Sequence, residues 1–223
     1  MNWVKTHKFI SYLFPRYIWK IPNSENKIYL TFDDGPIPNV TEWVLDILKS
    51  ENIKATFFCI GDNIKKHPKI FERIKNEGHS IGNHTFNHLN GWQTSSSNYI
   101  ENFKKCSEVL DSLSADKHDA RTDNKQQTTN NRLFRPPYGK ISPFQAKEIL
   151  NKNYKIIMWD ILSYDFDTKI SPHKCLSNVI KNTESGSIIV FHDSLKAEQN
   201  LRYALPKAIK FLKEKRFQFD VIK

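Results

Sequence analysis

The chain has 223 residues, of which 39% are hydrophobic and 13% aromatic. It is therefore long enough for one domain with a sizeable core, and its composition excludes a disordered polymer. The 34 Lys and Arg residues outnumber the 24 Asp and Glu residues, which gives a formal net charge of +10. Such a charge favours anionic surroundings, but no recognised nucleic-acid-binding motif accompanies it, so we predict no nucleic-acid partner.

The first predicted element is a buried strand that stops on two adjacent carboxylates. Residues 27–32 form an apolar run, Asp33 and Asp34 follow, and Gly35-Pro36 then breaks the strand and starts a loop. Side chains alternate along an extended chain, so the two acids point in different directions and could take different tasks around one centre. A surface Asp-Gly turn is the simpler alternative, although two acids in succession favour a functional site.

The rest of the chain alternates between strand-like and helix-periodic segments. The pattern predicts further strands at residues 54–61, 79–83, 132–135, 155–160, 187–191 and 217–222. Helices are predicted at 40–50, capped by Asn39, and at 64–74, 99–113, 144–150, 175–180 and 201–215. About seven strands alternating with about six helices are typical of a parallel sheet wrapped by helices, and both a barrel and a doubly wound sheet fit.

Two segments fall outside this alternation. Residues 1–26 are aromatic and basic, and we expect them to pack against the domain formed by residues 27–223, with contact to a membrane surface as the alternative. Residues 114–131 are nearly free of apolar side chains, which predicts a mobile insertion loop. The three cysteines lack a metal-site spacing and are typical of free, mostly buried thiols in a reducing compartment.

Polar residues follow the predicted strands. His84 and His88 come after the third strand, and a helical turn there would place both imidazoles on one face, able to bind one metal ion together with Asp34. Two imidazoles and one carboxylate leave open positions for water and substrate, as a catalytic metal site requires. A pair of surface histidines is the alternative interpretation.

Three later strands end on further polar groups. Prolines and a glycine after the fourth strand could fix Arg135 and aim the Tyr138 N–H at a substrate oxygen, although a rigid turn explains this stretch equally well. Asp165 follows the fifth strand and His192 ends the sixth. Considered alone, Asp165 would be interpreted as a solvated loop acid and His192 as a structural histidine. Parallel α/β folds keep their active sites at the carboxyl ends of the strands, so this coincidence favours one functional site.

Together these motifs resemble those of the polysaccharide deacetylases of carbohydrate esterase family four, the NodB-homology domain. Residues 31–35 (Thr-Phe-Asp-Asp-Gly) match the first motif of that family, residues 84–88 (His-Thr-Phe-Asn-His) its metal-binding second motif, and residues 135–139 (Arg-Pro-Pro-Tyr-Gly) its third. Asp165 and His192 fall where the fourth and fifth motifs have their aspartate and histidine. The resemblance extends from about residue 27 to the end of the chain.

The resemblance implies a fold and a reaction. The fold would be a distorted (β/α)7-like barrel in a single domain. The reaction would be the metal-dependent removal of N-acetyl groups from N-acetylglucosamine-containing glycans, such as peptidoglycan or chitin-like oligosaccharides. Asp34, His84 and His88 would hold a divalent metal ion, usually zinc in this family.

The resemblance also implies catalytic roles. Asp33 would be the general base and Arg135 would orient it, while His192 would be the general acid and Asp165 would tune it. The Tyr138 N–H and the metal would stabilise the oxyanion. In the acyl pocket, Phe166 stands where the fourth motif usually has Trp and Val190 where the fifth usually has Leu; both are apolar, so we expect acetyl specificity to be kept.

Two alternative functions stay open. The same site could deacylate a lipid-linked or nucleotide-linked amino sugar, or the chain could be a catalytically silent glycan-binding module.

The location of the protein is also open. The apolar run at residues 9–14 is too short for a signal peptide or a membrane span, which predicts a cytoplasmic protein, whereas glycan deacetylases commonly act in the cell envelope. Peripheral contact with a membrane or cell wall through the basic surface would suit the envelope, and the oligomeric state is left open.

Overall fold

The structure is a computed structural model that describes residues 4–115 and 132–223. Its strands are β1 (Tyr17–Ile18), β2 (Lys27–Asp33), β3 (Thr56–Cys59), β4 (Ser80–Asn83), β5 (Leu133–Phe134), β6 (Lys155–Ile157), β7 (Ile161–Leu162), β8 (Ile188–His192) and β9 (Gln218–Phe219). Its helices are α1 (Lys8–Leu13), α2 (Val40–Ser50), α3 (Gly61–Lys66), α4 (Pro68–Asn76), α5 (Ser96–Ala115), α6 (Pro143–Leu150), α7 (Pro172–Ile180) and α8 (Glu198–Glu214). The insertion predicted at residues 114–131 lies outside the described residues from position 116 onward.

Eight strands form one sheet in the order β1-β6-β5-β4-β3-β2-β8-β7, and β9 pairs with the start of β2. Every pairing between these named strands is parallel, so their carboxyl ends lie along one edge. With the surrounding helices, the sheet forms a half-barrel, which confirms the predicted distorted (β/α)7-like barrel in a single domain.

Strand β2 lies between β3 and β8, and every one of its residues after Lys27 is buried. Because both faces of a parallel strand are covered, its sequence is continuously apolar up to the edge instead of alternating. Phe32 stacks on Phe57 of β3, with ring centroids 5.1 Å apart, and on Phe191 of β8, at 6.3 Å. This aromatic layer supports the edge, where the strand register pairs Asp33 with His192.

The strand predicted at residues 155–160 is wrong in its extent, because only its first three residues form a strand and a separate strand begins directly after it. β6 ends at Ile157 and β7 begins at Ile161, and β7 lies at the far end of the sheet. Between them, Met158 N donates to the carbonyl of Ile18 in β1, whereas Asp160 N donates to the carbonyl of Ile188 in β8. The connection therefore crosses the open side of the half-barrel, which an apolar run in the sequence cannot reveal.

Two helices show how local residues set the element boundaries. The single helix predicted at 64–74 is divided into α3 and α4 at His67, because Pro68 has no N–H and disfavours helical conformation in the residue before it. Helix α2 begins as predicted after Asn39, whose backbone N–H donates to the Glu42 carboxylate at 2.9 Å, one half of a capping box.

The N-terminal segment runs along two strands. Residues 4–6 lie antiparallel to β7: Leu162 N donates to the Val4 carbonyl, and Thr6 N donates to the Asp160 carbonyl. After α1, strand β1 pairs with β6 at the opposite end of the sheet. Within the described ranges, no helix is long and apolar enough to span a membrane. The three cysteines are free and buried, as the sequence predicts.

Candidate metal and catalytic site

Three potential metal ligands converge at the carboxyl edge of the sheet. Asp34 follows β2, and His84 and His88 follow β4. Asp34 Oδ1 lies 3.3 Å from Nε2 of His88 and 3.8 Å from Nε2 of His84. One ligand atom from each residue lies within 4.8 Å of the other two, which is close enough for a single ion to bind all three.

The hydrogen bonds of these residues fit a bound cation. Asp34 Oδ1 is buried and has no hydrogen-bond partner among the described residues, an arrangement that is costly unless a cation compensates it. Nδ1 of His84 lies 2.8 Å from the carbonyl oxygen of Arg135. A carbonyl only accepts, so Nδ1 carries the proton and Nε2 keeps its lone pair for a metal. Nδ1 of His88 lies 3.2 Å from the Tyr138 hydroxyl, which allows the same assignment.

Both histidines are held in the neutral form, which is the form that binds metals. Burial, helped by repulsion from His88, lowers the pKa of His84 to about 3. Burial also lowers the pKa of His88, although the Asp34 carboxylate opposes this effect. At neutral pH, a metal ion would therefore not have to displace a proton from either imidazole.

The segment at residues 84–88 is a loop, so the expected helical turn is wrong while the convergence of the two imidazoles is correct. Thr85 and His88 have φ angles of 63° and 56°, in the left-handed region that a helix cannot contain. The N–H groups of residues 86 and 87 both donate to Asn102 Oδ1 of α5, at 2.8 and 2.9 Å. Helix α5 therefore fixes the loop that carries the two histidines.

Asp33 is bound to a fully buried arginine. Nη1 of Arg135 donates to Asp33 Oδ1 and to Thr31 Oγ1, both at 2.7 Å. Its Nε and Nη2 donate to the carbonyls of Ile157 and Met158, at 3.2 and 2.9 Å. Burial lowers the pKa of Arg135, and the charge of Asp33 opposes this effect. Four acceptors thus fix the guanidinium, and the guanidinium in turn holds the Asp33 carboxylate in one position at the carboxyl edge of the sheet.

His192 forms a matching pair with Asp165. Nδ1 of His192 lies 2.8 Å from Asp165 Oδ1, and the backbone N–H of His192 donates to Asp165 Oδ2 at 2.7 Å. The Ser163 hydroxyl donates to Asp165 Oδ1 at 2.9 Å. Burial by itself would lower the pKa of His192, but the charge and hydrogen bond of Asp165, together with the charges of Asp34 and Asp33, raise it to about 9. His192 is therefore an imidazolium at neutral pH, with Nε2 as its free donor.

A cavity of about 520 Å³ lies between the metal ligands and His192. Asp33 and Tyr138 also line it, together with four apolar side chains, Trp159, Leu162, Phe166 and Val190. The Phe166 ring meets the His192 imidazole edge to face, with centroids 4.9 Å apart. The cavity thus combines polar groups with an apolar wall formed by these four side chains.

Every site residue predicted from the sequence lies in or directly behind this cavity. Arg135 and Asp165 stand behind it, each bound to a residue that lines it. Tyr138 has a φ angle of 60° and is 59% exposed, and its ring packs against His88 with centroids 4.6 Å apart. Asp160, the other acid near the predicted fifth strand, does not belong to the cavity. It is buried near the amino ends of the strands, where its Oδ2 accepts the Ser187 hydroxyl.

Asp193, for which the sequence analysis predicts no role, lies beside the site residues Asp33 and His192. Its backbone N–H donates to the Asp33 carbonyl at 3.1 Å, and its Oδ1 accepts the Gly35 N–H at 3.1 Å. Its Oδ2 accepts the Thr41 hydroxyl at 2.5 Å. Burial raises the pKa of Asp193 to about 8, although the hydrogen bonds from Thr41 and Gly35 act to lower it. Only its position beside His192 could have signalled this link between β8 and the loop after β2.

A Cβ on Gly35 would lie 2.0 Å from Asp193 Oδ2, so the loop after β2 reaches Asp193 only because residue 35 has no side chain. This close approach gives the glycine of the first motif a structural reason.

Comparisons with known proteins agree with this geometry. The family model described as polysaccharide deacetylase matches residues 20–157. A peptidoglycan-N-acetylglucosamine deacetylase of Bacillus cereus is 35% identical over 204 residues, which cover 91% of this chain and 69% of that protein. A chitooligosaccharide deacetylase of Azorhizobium caulinodans is 32% identical over 178 residues, 78% of this chain and 77% of that protein.

A solved structure shows the same fold. The crystal structure of the Bc1960 peptidoglycan N-acetylglucosamine deacetylase matches with a TM-score of 0.83 and 34% sequence identity, covering 95% of this chain and 94% of that one. The family model, the relatives and the solved structure all identify the same family, and the chain belongs to the polysaccharide deacetylase family.

Proposed function

We propose that the protein is a metal-dependent hydrolase that removes acetyl groups from N-acetylglucosamine units of peptidoglycan or of chitin-like oligosaccharides. The observation that carries this proposal is the arrangement around one cavity of three groups: the Asp34-His84-His88 set, the Asp33–Arg135 pair and the His192–Asp165 pair. The similarity to deacetylases that act on these two kinds of glycan supports the choice of substrate.

Asp34, His84 and His88 would hold a divalent cation, and we propose zinc because two imidazoles and one carboxylate are a donor set of catalytic zinc centres. Such a cation would supply Lewis-acid polarisation of the amide carbonyl and a water of lowered pKa. The chain itself positions the proton acceptor. Because Arg135 fixes Asp33 beside the ligand set, Asp33 can accept the proton of the attacking water.

His192 would supply the proton that the leaving amine requires. A pKa of about 9 keeps its imidazole protonated at neutral pH, and Asp165 occupies Nδ1 so that Nε2 is the donor available to the cavity. The strand register pairs His192 with Asp33, so the proposed acid and base lie side by side on neighbouring strands. The Tyr138 N–H would donate to the developing oxyanion.

The apolar wall would receive the acyl group. Phe166 and Val190 both line the cavity, together with Leu162 and Trp159. An acetyl methyl gains from burial in such a wall, and the two substitutions of Trp by Phe and of Leu by Val keep it apolar. We therefore propose that acetyl remains the preferred acyl group.

Acetate release from N-acetylglucosamine oligomers and from peptidoglycan fragments tests the proposal. Protein freed of metal with a chelator and then reconstituted with Zn²⁺ should release acetate, and Asp33→Asn should lower the rate by about a hundredfold or more. Asp160→Asn is the matched control, because Asp160 is a buried acid of the same type near the other edge of the sheet. It should keep most of the activity.

Each remaining outcome would contradict part of the proposal. Release that persists in Asp33→Asn would remove Asp33 as the base. No release from either glycan by zinc-loaded protein would overturn the substrate assignment, and release from a lipid-linked or nucleotide-linked amino sugar would then replace it. No release from any amino sugar would indicate a silent glycan-binding module.

A further inference from the structure

Helix α1 presents its apolar side chains to solvent. Phe9, Tyr12 and Leu13 are spaced i, i+3 and i+4, so they share one face of the helix, and they are 69%, 81% and 54% exposed. Phe14, directly after the helix, is 46% exposed. No residue of α1 is buried, so this face contributes little to the hydrophobic core. A contiguous exposed apolar patch of this kind marks an interaction site.

The patch is held in a defined position. The ring of Phe14 stacks on that of Tyr17 with centroids 5.5 Å apart, and Trp19 Nε1 donates to the Phe14 carbonyl at 3.2 Å. Tyr17 itself belongs to β1, which pairs with β6 of the main sheet. The four apolar side chains are therefore presented by a fixed part of the fold.

The surroundings of the patch are basic. The sequence up to residue 24 contains Lys5, Lys8, Arg16 and Lys20, and its first acid is Glu25. Lys5 and Lys20 contact Glu184 at 2.9 and 2.7 Å, whereas Lys8 and Arg16 are exposed next to the apolar side chains. We call Phe9, Tyr12, Leu13 and Phe14, with Lys8 and Arg16, the α1 face.

The α1 face lies away from the cavity. Residues 4–6 run along β7 from Leu162, which lines the cavity, to Asp160 at the amino end of that strand, and α1 begins beyond this point. Two exposed basic residues, Lys155 at the start of β6 and Arg132 just before β5, belong to the same amino-terminal edge. A partner bound there would leave the opposite, carboxyl edge open.

We propose that the α1 face docks the protein on the surface of an anionic lipid bilayer, with its apolar side chains among the headgroups and the catalytic cavity facing away from the bilayer. Aromatic and aliphatic side chains flanked by Lys and Arg are the composition of interfacial membrane anchors. This inference is independent of the proposed function, because no residue of the α1 face lines the cavity.

Charge and polarity favour a bilayer over two other occupants. A second copy of the chain would bring Lys8 and Arg16 of both molecules to one symmetric contact, where like charges repel each other. A cell-wall polymer would satisfy the basic residues but would leave Phe9 and Leu13 without an apolar environment. Lipid phosphates neutralise the basic residues, and the acyl boundary buries the apolar ones.

Co-sedimentation of the full chain with vesicles tests the proposal. Binding is expected to vesicles that contain phosphatidylglycerol, to be weaker on phosphatidylcholine alone, and to fall at high salt. Tyr12→Ser combined with Leu13→Ser should reduce binding by about tenfold or more, because two exposed apolar side chains are lost from the contact. Trp92→Ser combined with Phe144→Ser is the matched control, since these residues are 68% and 59% exposed elsewhere.

A second variant and two readouts keep the test decisive. Lys8→Gln combined with Arg16→Gln should weaken binding to the phosphatidylglycerol vesicles while the thermal unfolding midpoint stays unchanged. Absence of vesicle binding by the unaltered chain would overturn the proposal, as would an equal loss in the Trp92/Phe144 control. A dimer in sedimentation equilibrium that the Tyr12/Leu13 variant abolishes would also overturn it, in favour of a second copy.

Discussion

Nη1 of Arg135 lies 2.7 Å from Oδ1 of Asp33, and neither residue is more than 3% exposed. A buried ion pair of this kind adds little stability over an apolar pair, but removal of one partner leaves an uncompensated charge in the core. The pair holds the Asp33 carboxylate in one orientation next to the proposed metal ligands.

Arg135→Met should lower the free energy of unfolding by about 3–5 kcal/mol, because Asp33 would remain buried without its partner. Urea unfolding monitored by circular dichroism measures the change. The double variant Arg135→Met/Asp33→Asn removes both charges and should recover part of the loss. A double variant no more stable than Arg135→Met would show that the destabilisation comes from the lost packing of the arginine and not from an unpaired charge.

Thr41→Val should weaken metal binding and cost about 1–3 kcal/mol of stability, because the Ile37 N–H and Asp193 Oδ2 would both lose the Thr41 hydroxyl. These bonds fix the loop that begins with Asp34, so a displaced loop should raise the dissociation constant for Zn²⁺ in a titration. Thr41→Ser keeps the hydroxyl and should bind Zn²⁺ almost as well as the unaltered chain. Equal affinities for the Val and Ser variants would argue against this role of the hydroxyl.

Asp165→Asn should move the alkaline limb of the kcat/KM profile to lower pH. His192 must be protonated to donate, so activity should fall as pH rises through its pKa, which Asp165 and, less strongly, Asp34 and Asp33 raise to about 9. An amide keeps the shape of the side chain but removes the charge, so the limb should shift by more than about one unit. Ser163→Ala removes a neutral hydroxyl that donates to the Asp165 carboxylate and accepts the Asp165 N–H, so it should shift the limb less. If the alkaline limb of Asp165→Asn lies at the same pH as that of the unaltered chain, a group other than His192 determines the limb.

Zn²⁺ should raise the thermal unfolding midpoint of the metal-free protein. A ligand that binds only the folded state stabilises it by about 2.7 kcal/mol at a concentration a hundredfold above its dissociation constant. Asp34→Asn should abolish most of this stabilisation. His173→Asn is the control, since His173 bonds to the Tyr203 hydroxyl on α8 and belongs to no ligand set among the described residues. A rise of equal size in Asp34→Asn would indicate zinc bound at another place.

His79 should make the fold sensitive to mild acid. Burial lowers its pKa from 6.5 to about 4, and its Nδ1 accepts the Ala55 N–H at 3.1 Å, which requires a neutral ring. The neutral form is favoured in the folded state, so this contribution is present above pH 6.5 and is lost as the pH falls towards 4. The loss should amount to up to about 3 kcal/mol.

His79→Asn separates this effect from general acid unfolding, because its amide oxygen can accept the same N–H without titrating. The midpoint of urea unfolding, compared between neutral and mildly acidic pH, should change less in this variant than in the unaltered chain. Parallel changes in the two proteins would assign the acid sensitivity to other groups.

The sequence by itself determined the residues of the candidate site and the class of the fold. Each site motif is a short run of chain: two acids at the end of an apolar strand, two histidines four residues apart, and an arginine before two prolines. Such local patterns report which chemistry is available. The alternation of strands and helices likewise predicted a parallel sheet, whose carboxyl edge must collect these groups.

Tertiary structure alone decided which groups act on each other. The Arg135–Asp33 pair joins positions 102 residues apart, and Asp193 reaches Thr41 across 152 residues. The end of β6 at Ile157 and the start of β7 at Ile161 depend in the same way on their partner strands β1 and β8, which lie far from them in the chain. The physical reason is that hydrogen bonds and packing between distant segments depend on the register of whole strands, whereas a residue's neighbours in sequence fix only its local conformation and the chemistry it can offer.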